Sequence, residues 1–132
     1  MTNTSKVRPT VIVADDHNAT ASVVPKLVSK DFDLLASVSD GVRALQAVEE
    51  LHPDLVVLDV GMPGMDGFET ARRIRQQALP TRIVFLTISE DSDYAKTASE
   101  LGGCYVVKRR MLLDLLPAAA EALAGRLFLS PI

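Results

Sequence analysis

Leu55-Val56-Val57-Leu58-Asp59 is an apolar run that ends on an acid, and Val60-Gly61-Met62-Pro63-Gly64-Met65-Asp66-Gly67 follows it at once. A short run of this kind, stopped by Gly and Pro, reads as a strand buried on both faces inside a parallel sheet. The same pattern recurs on either side. Val11-Ile12-Val13-Ala14 runs into Asp15-Asp16, Ile83-Val84-Phe85-Leu86 ends on Thr87, and Tyr105-Val106-Val107 runs into Lys108. Strands laid side by side would bring three acids, one hydroxyl and one amine to one crevice at their carboxyl ends. Open α/β sheets place their chemistry in that crevice. Crowded carboxylates repel unless a cation sits among them, so the acids point to a hard divalent ion with oxygen ligands, Mg²⁺.

Working outward, strands are predicted over 7–14, 33–38, 54–59, 82–87 and 104–108. Helices are predicted between and after them over 19–30, 41–51, 67–78, 92–101 and 114–125. This alternation implies a parallel sheet sandwiched between helix layers. Asp40 and Asp66 stand where an N-cap should accept a free backbone N–H. Gly102 and Gly125 stand where a helix wants a left-handed residue after its end. Pro25 falls inside the first helix and predicts a kink or a late start. If Asp114 caps the last helix, Pro117 lies harmlessly in its first turn. Residues 1–6 read as a disordered tail.

The 132 residues suit one domain, and 48% hydrophobic content suffices for a core. No apolar stretch approaches the roughly 20 residues of a membrane span, and the polar first ten residues lack a signal-peptide core. A single cysteine, Cys104, excludes an internal disulfide and points to a reducing cytoplasm. Net charge is −3, with no basic run beyond Lys108-Arg109-Arg110, so this stretch alone should not bind DNA.

A carboxylate that accepts a phosphoryl group needs a metal, a cation and a donor around the transferring oxygens. Asp15 and Asp16 can supply the metal site, Asp59 the nucleophile, Lys108 the cation and Thr87 the hydroxyl. Asp59 is the best nucleophile, because the glycine-rich loop after it lets backbone approach closely.

These residues resemble the receiver domain of bacterial response regulators: Asp15-Asp16, Asp59 with Met62-Pro63-Gly64-Met65-Asp66-Gly67, then Thr87, Tyr105 and Lys108. Asp15-Asp16-His17 and the closing Ala124-Gly125-Arg126-Leu127-Phe128-Leu129-Ser130-Pro131 resemble the NarL/FixJ (LuxR-type) subfamily. The resemblance covers residues 7–126, with 127–132 as the start of a linker toward an effector. It implies a flavodoxin-like α/β sandwich with strand order 2-1-3-4-5. It implies phosphorylation of Asp59 by a sensor histidine kinase. Mg²⁺ would be held by Asp16, Asp59 and the Gly61 carbonyl, with Asp15 acting through water. Thr87 and Tyr105 would form a switch pair, with Tyr105 moving from exposed to buried on phosphorylation. A homodimer on phosphorylation and a helix-turn-helix output are further implications. Three departures stand out. The segment Leu101-Gly102-Gly103-Cys104-Tyr105 is one residue shorter than usual, which bears on where Tyr105 and Lys108 sit. Arg109 replaces a common proline. Ile88 is bulkier than the usual residue after Thr87, and its bulk would narrow access to Asp59.

Singly, each residue has a plainer reading. Acids at strand ends cap helices, a lone Lys is a surface charge, and an aromatic on a strand is core. His17 has no His or Cys partner for a metal, and Cys104 reads as a small buried residue. A phosphohydrolase built on Asp59 would need an acid at position 61, which is Gly. No phosphate-binding glycine motif occurs for a nucleotide. The ordered constellation therefore reads as a phosphorylation-controlled switch and not a turnover enzyme. A stand-alone receiver or a pseudo-receiver acting as an interaction module is the alternative.

Overall fold

The computed structural model describes residues 8–131. The five strands are β1 (Thr10–Ala14), β2 (Asp33–Val38), β3 (Leu55–Asp59), β4 (Arg82–Thr87) and β5 (Cys104–Val107). The helices are α1 (Val23–Val28), α2 (Gly41–Leu51), α3 (Gly67–Gln76), α4 (Ser92–Glu100) and α5 (Met111–Leu123). All strand pairs are parallel, in the order β2-β1-β3-β4-β5, as the α/β reading expects. The chain adds β2 on one side of β1 and β3 on the other, so the crevice opens between β1 and β3.

Alternation along the strands divides the core into two layers. Ile12, Val56, Leu58, Ile83, Phe85 and Tyr105 pack against Ala44, Phe68, Ala71 and Ala98 of the α2, α3 and α4 layer. Val11, Val13, Leu55, Val57, Val84 and Val106 pack against Val24, Leu27, Leu115 and Ala118 of the α1 and α5 layer. The three inner strands are apolar on both faces, so they read as continuous runs and not as alternation.

Asp40 and Asp66 cap α2 and α3 as expected, accepting from Arg43 N and Glu69 N at 2.8 Å each. Gly102 and Gly125 adopt φ of +74° and +77° after α4 and α5. Pro25 delays α1, which begins at Val23 and not at residue 19, so Pro25 lies in its first turn, where no helical N–H is lost. Residues 18–22 form turns instead.

The start of α5 needs correction. It begins at Met111, straight out of a short 3-10 turn over Lys108–Arg110, and Pro117 lies inside it. Asp114 is not the cap because its carboxylate is engaged elsewhere. Arg110 forks onto it at 2.9 and 3.3 Å, and the Ser130 hydroxyl donates to it at 2.7 Å. Pro117 has no N–H to give the Leu113 carbonyl one turn back, and Leu113 itself is 68% exposed. The expected disordered tail, 1–6, lies outside the described residues. The residues read as the start of a linker run along the free edge of β5. Tyr105 N donates to Phe128 O, and Ser130 N donates to Tyr105 O, both at 2.8 Å.

Candidate functional site

β3 ends on Asp59, and β1 delivers Asp15 one residue past its own end, where Asp15 N still bonds Val38 O at 3.0 Å. β5 delivers Lys108 in the same way. In strand parity, Asp59 follows Leu55 and Val57, Asp15 follows Val11 and Val13, and Lys108 follows Cys104 and Val106. All three therefore turn toward the α1 and α5 layer. Thr87 and Tyr105 share the parity of Phe85 and face the α3 and α4 side.

Asp15, Asp59 and Lys108 are 4, 5 and 7% exposed, whereas Asp16 is exposed. Lys108 Nζ donates to Asp15 Oδ1 and to Asp59 Oδ2 at 3.1 Å each. Gly61 N donates to Asp59 Oδ1 at 3.1 Å, and His17 N donates to Asp15 Oδ1 at 2.9 Å. Carboxylate oxygens of Asp15, Asp16 and Asp59 lie within 4.8 Å of one another, a donor set of hard anionic oxygens that fits a divalent cation. One ammonium is shared by two buried acids at this point, so an added cation would relieve an imbalance already present.

Burial, together with the groups that face each carboxyl, sets the acidities. Burial and the facing Asp15 carboxyl push Asp59 up to about 6, against the opposing pull of Gly61 N and Lys108. Burial also raises Asp15, but bonds from the Thr20 hydroxyl, Asp59, the His17 amide and Lys108 outweigh it and hold Asp15 below the ordinary carboxylate range.

The other predicted residues fall beside this centre. Gly67 follows the loop, and a Cβ there would meet Asp59 O at 2.6 Å, so only glycine lets α3 start this close to the strand end. The Gly61 amide is committed to Asp59, and its backbone lines the rim. Thr87 is 3% exposed, and its hydroxyl accepts from Ser89 N at 3.0 Å without touching Asp59. Ile88 is 72% exposed on the wall of a groove of about 690 Å³ that runs from Gly61 and Thr87 to Tyr94. The Tyr105 ring is fully buried and its hydroxyl donates to Ser89 O at 2.5 Å, so the aromatic expected outside before phosphorylation is already inside. A second tether parallels it, with Arg109 forking onto Glu90 at 2.7 and 2.8 Å. The short 101–105 segment has not displaced Lys108. It brings Gly103 so close to Phe85 that a Cβ would lie 2.5 Å from the ring. His17 contributes its backbone amide, and its side chain is outside the cluster.

One participant went unrecognised in the sequence. The Thr20 hydroxyl donates to Asp15 Oδ2 at 2.5 Å and accepts from Lys108 Nζ at 3.2 Å. A threonine in a turn has no distinguishing pattern. The one available signal was Pro25, which delays α1 and leaves residue 20 outside a helix.

Residues 11–121 match the sequence model of the response regulator receiver domain. The chain is 36% identical over 124 residues to the nitrate/nitrite response regulator protein NarL of Escherichia coli, covering 92% of this chain and 57% of that protein. It is 32% identical over 117 residues to the virulence factors putative positive transcription regulator BvgA of Bordetella pertussis, covering 87% of this chain and 56% of that protein. The chain thus spans little more than half the length of these relatives. Among solved structures, the signal receiver domain of the putative response regulator NarL from Mycobacterium tuberculosis superposes with a TM-score of 0.84 at 27% identity, covering 90% of this chain and 98% of that one. A LuxR-family DNA-binding response regulator from Staphylococcus aureus gives 0.81 at 29% identity, covering 87% of this chain and 98% of that one.

Proposed function

The chain belongs to the response regulator receiver domain family, and from that premise we propose that Asp59 takes a phosphoryl group from the phosphohistidine of a sensor kinase. The supporting observation is the convergence on Asp59 of a buried ammonium and two further acids. A Mg²⁺ held by Asp16, Asp59, the Gly61 carbonyl and, through water, Asp15 would neutralise oxygens of the transferring group. The Asp59 carboxylate forms the new P–O bond as the P–N bond to the kinase imidazole breaks, and the imidazole leaves with the electron pair and gains a proton. Lys108 exchanges its bond to Asp59 for one to a phosphoryl oxygen, and Thr87 offers its hydroxyl to another. The product is an acyl phosphate, which water later hydrolyses, so the domain is a timed switch and not a turnover catalyst.

The readout runs through the loop after Thr87. Thr87 accepts from Ser89 N and Tyr105 donates to Ser89 O, so a Thr87 hydroxyl drawn toward phosphate releases one side of Ser89 while Tyr105 holds the other. Phosphorylation then reshapes the α4–β5–α5 face around a ring that is already inside. Control of transcription is the output that similarity to BvgA, a transcription regulator, supports, and with it we propose a cytoplasmic homodimer formed on phosphorylation that acts through a helix-turn-helix segment.

The test is intact mass after incubation with a small phosphodonor and Mg²⁺. One phosphate is expected on the wild type and none on Asp59→Asn. A phosphate that persists in that variant would overturn the assignment.

A further inference from the structure

Thr20 is buried, 8% exposed, in the turn between β1 and α1. Its amide and that of Ala21 donate to His17 O at 2.9 and 2.8 Å, and its own carbonyl accepts from Val23 N and Val24 N at 3.0 and 2.9 Å. The residue is pinned on both sides, so its side-chain direction is set by backbone. A hydroxyl has one proton to give and lone pairs to accept with. The proton has two acceptors in reach, Asp15 Oδ2 at 2.5 Å and His17 O at 3.3 Å, and the closer, charged one wins. A lone pair is then left for Lys108. Asp15 Oδ1, Lys108 Nζ, Thr20 Oγ1 and Asp15 Oδ2 close into a ring.

An ammonium has three N–H donors. Two of those of Lys108 go to the ring members Asp15 and Thr20, and the third goes to Asp59. Phosphorylation needs only this third bond to change partner. Without Thr20, one donor would have no fixed acceptor, and the ammonium at the end of a four-carbon stem could rotate away from the incoming group. We infer that Thr20 is a positioning residue that orients the Lys108 ammonium, through the Asp15–Thr20–Lys108 ring, toward the oxygen transferred onto Asp59. The inference rests on Lys108 being the phosphoryl-binding cation of the proposed reaction. It assigns to a turn residue a part in the chemistry that the acid and lysine pattern does not contain.

The experiment compares wild type, Thr20→Val, Thr20→Ala and Thr20→Ser. The first readout is the ¹H–¹⁵N signal of the Lys108 ammonium in lysine-labelled protein, recorded without phosphodonor. Wild type and Thr20→Ser should show an ordered, slowly exchanging ammonium, and Thr20→Val and Thr20→Ala should lose it. The second readout is the rate of phosphorylation by phosphoramidate at saturating Mg²⁺, followed by intact mass. Thr20→Val should be slower by about tenfold, the size of one lost hydrogen bond to a charged group, with the phosphoramidate concentration dependence unchanged and Thr20→Ser near wild type. A residue that merely filled space would be rescued by Val and not by Ser. An ordered ammonium and a wild-type rate in both Thr20→Val and Thr20→Ala overturn the inference. If wild type takes no phosphate on Asp59, the proposed function fails, and the ammonium signal still decides whether Thr20 orders Lys108.

Discussion

Asp59 is a carboxyl held in a place that disfavours its charge. Its acidity is pushed up to about 6, chiefly by burial and then by the facing Asp15. The folded protein therefore binds that proton more tightly than the unfolded chain does. Stability from this group falls as pH rises through roughly 4 to 6, and above that window the whole penalty is present. Without divalent ions at pH 7 to 8, Asp59→Asn should stabilise the fold by about 1–3 kcal/mol, and the gain should vanish near pH 4. Denaturant unfolding in EDTA at the two pH values checks this, and a loss of stability at pH 8 would contradict it. The neighbouring acids differ in what they have free. Both oxygens of Asp15 accept hydrogen bonds, from His17 N, Lys108 and Thr20, whereas Asp16 is exposed. Asp16→Ala should consequently weaken Mg²⁺ binding more than Asp15→Ala, with His17→Ala close to wild type. Calorimetric titration with Mg²⁺ would show the order.

At the scale of elements, strand and helix types were legible because each strand is an apolar run with a punctuated end. β2, α2 and β4 match their predicted bounds at Asp33–Val38, Gly41–Leu51 and Arg82–Thr87. The two displaced helix starts lie where side chains override local pattern. Pro25 shortened α1, and the Arg110–Asp114–Ser130 contacts drew the start of α5 forward. Asp15, Asp59 and Lys108 could be placed in one crevice from strand ends alone. The inward position of Tyr105 agrees with the plainer reading of an aromatic on a strand as core, whereas the bond of its hydroxyl to Ser89 O could not be read from the sequence. Nor could the contribution of Thr20, which depends on a turn. Glycine just before β5 is explained by packing, because Gly103 lies flat on Phe85. Gly103→Ala should cost about 1–3 kcal/mol by forcing that ring aside. A denaturant midpoint unchanged from wild type would show that the ring can yield freely. Phe85 in turn meets Phe68 edge-on at 5.0 Å, so the strain would reach the floor of the groove beside the site.

Over the whole molecule, the two side layers hold the sheet while its carboxyl ends stay open to the crevice. No helix among the described residues is long and apolar enough to cross a membrane. The two lateral borders of the sheet are treated differently. β2 shows a burial pattern of alternating exposed and half-buried residues, as a half-solvated border strand does. β5 is apolar and fully buried over its four residues, a run that would be hazardous if its backbone were bare. Residues 128–130 cover it. They satisfy both backbone groups of Tyr105, and the Ser130 hydroxyl accepts from Val107 N at 3.1 Å. The segment thus occupies the hydrogen-bonding edge that another strand would need. Shortening the chain after Arg126 would turn Cys104–Val107 into an adhesive border able to recruit the same strand from another molecule. Concentration-dependent aggregation by light scattering, absent from the full chain and present in the shortened one, is the expected result. Lys or Glu introduced in place of Cys104 would not be a clean remedy, because that side chain is 1% exposed. If that result is obtained, a few backbone bonds made by a segment that carries none of the site's chemistry keep this border closed.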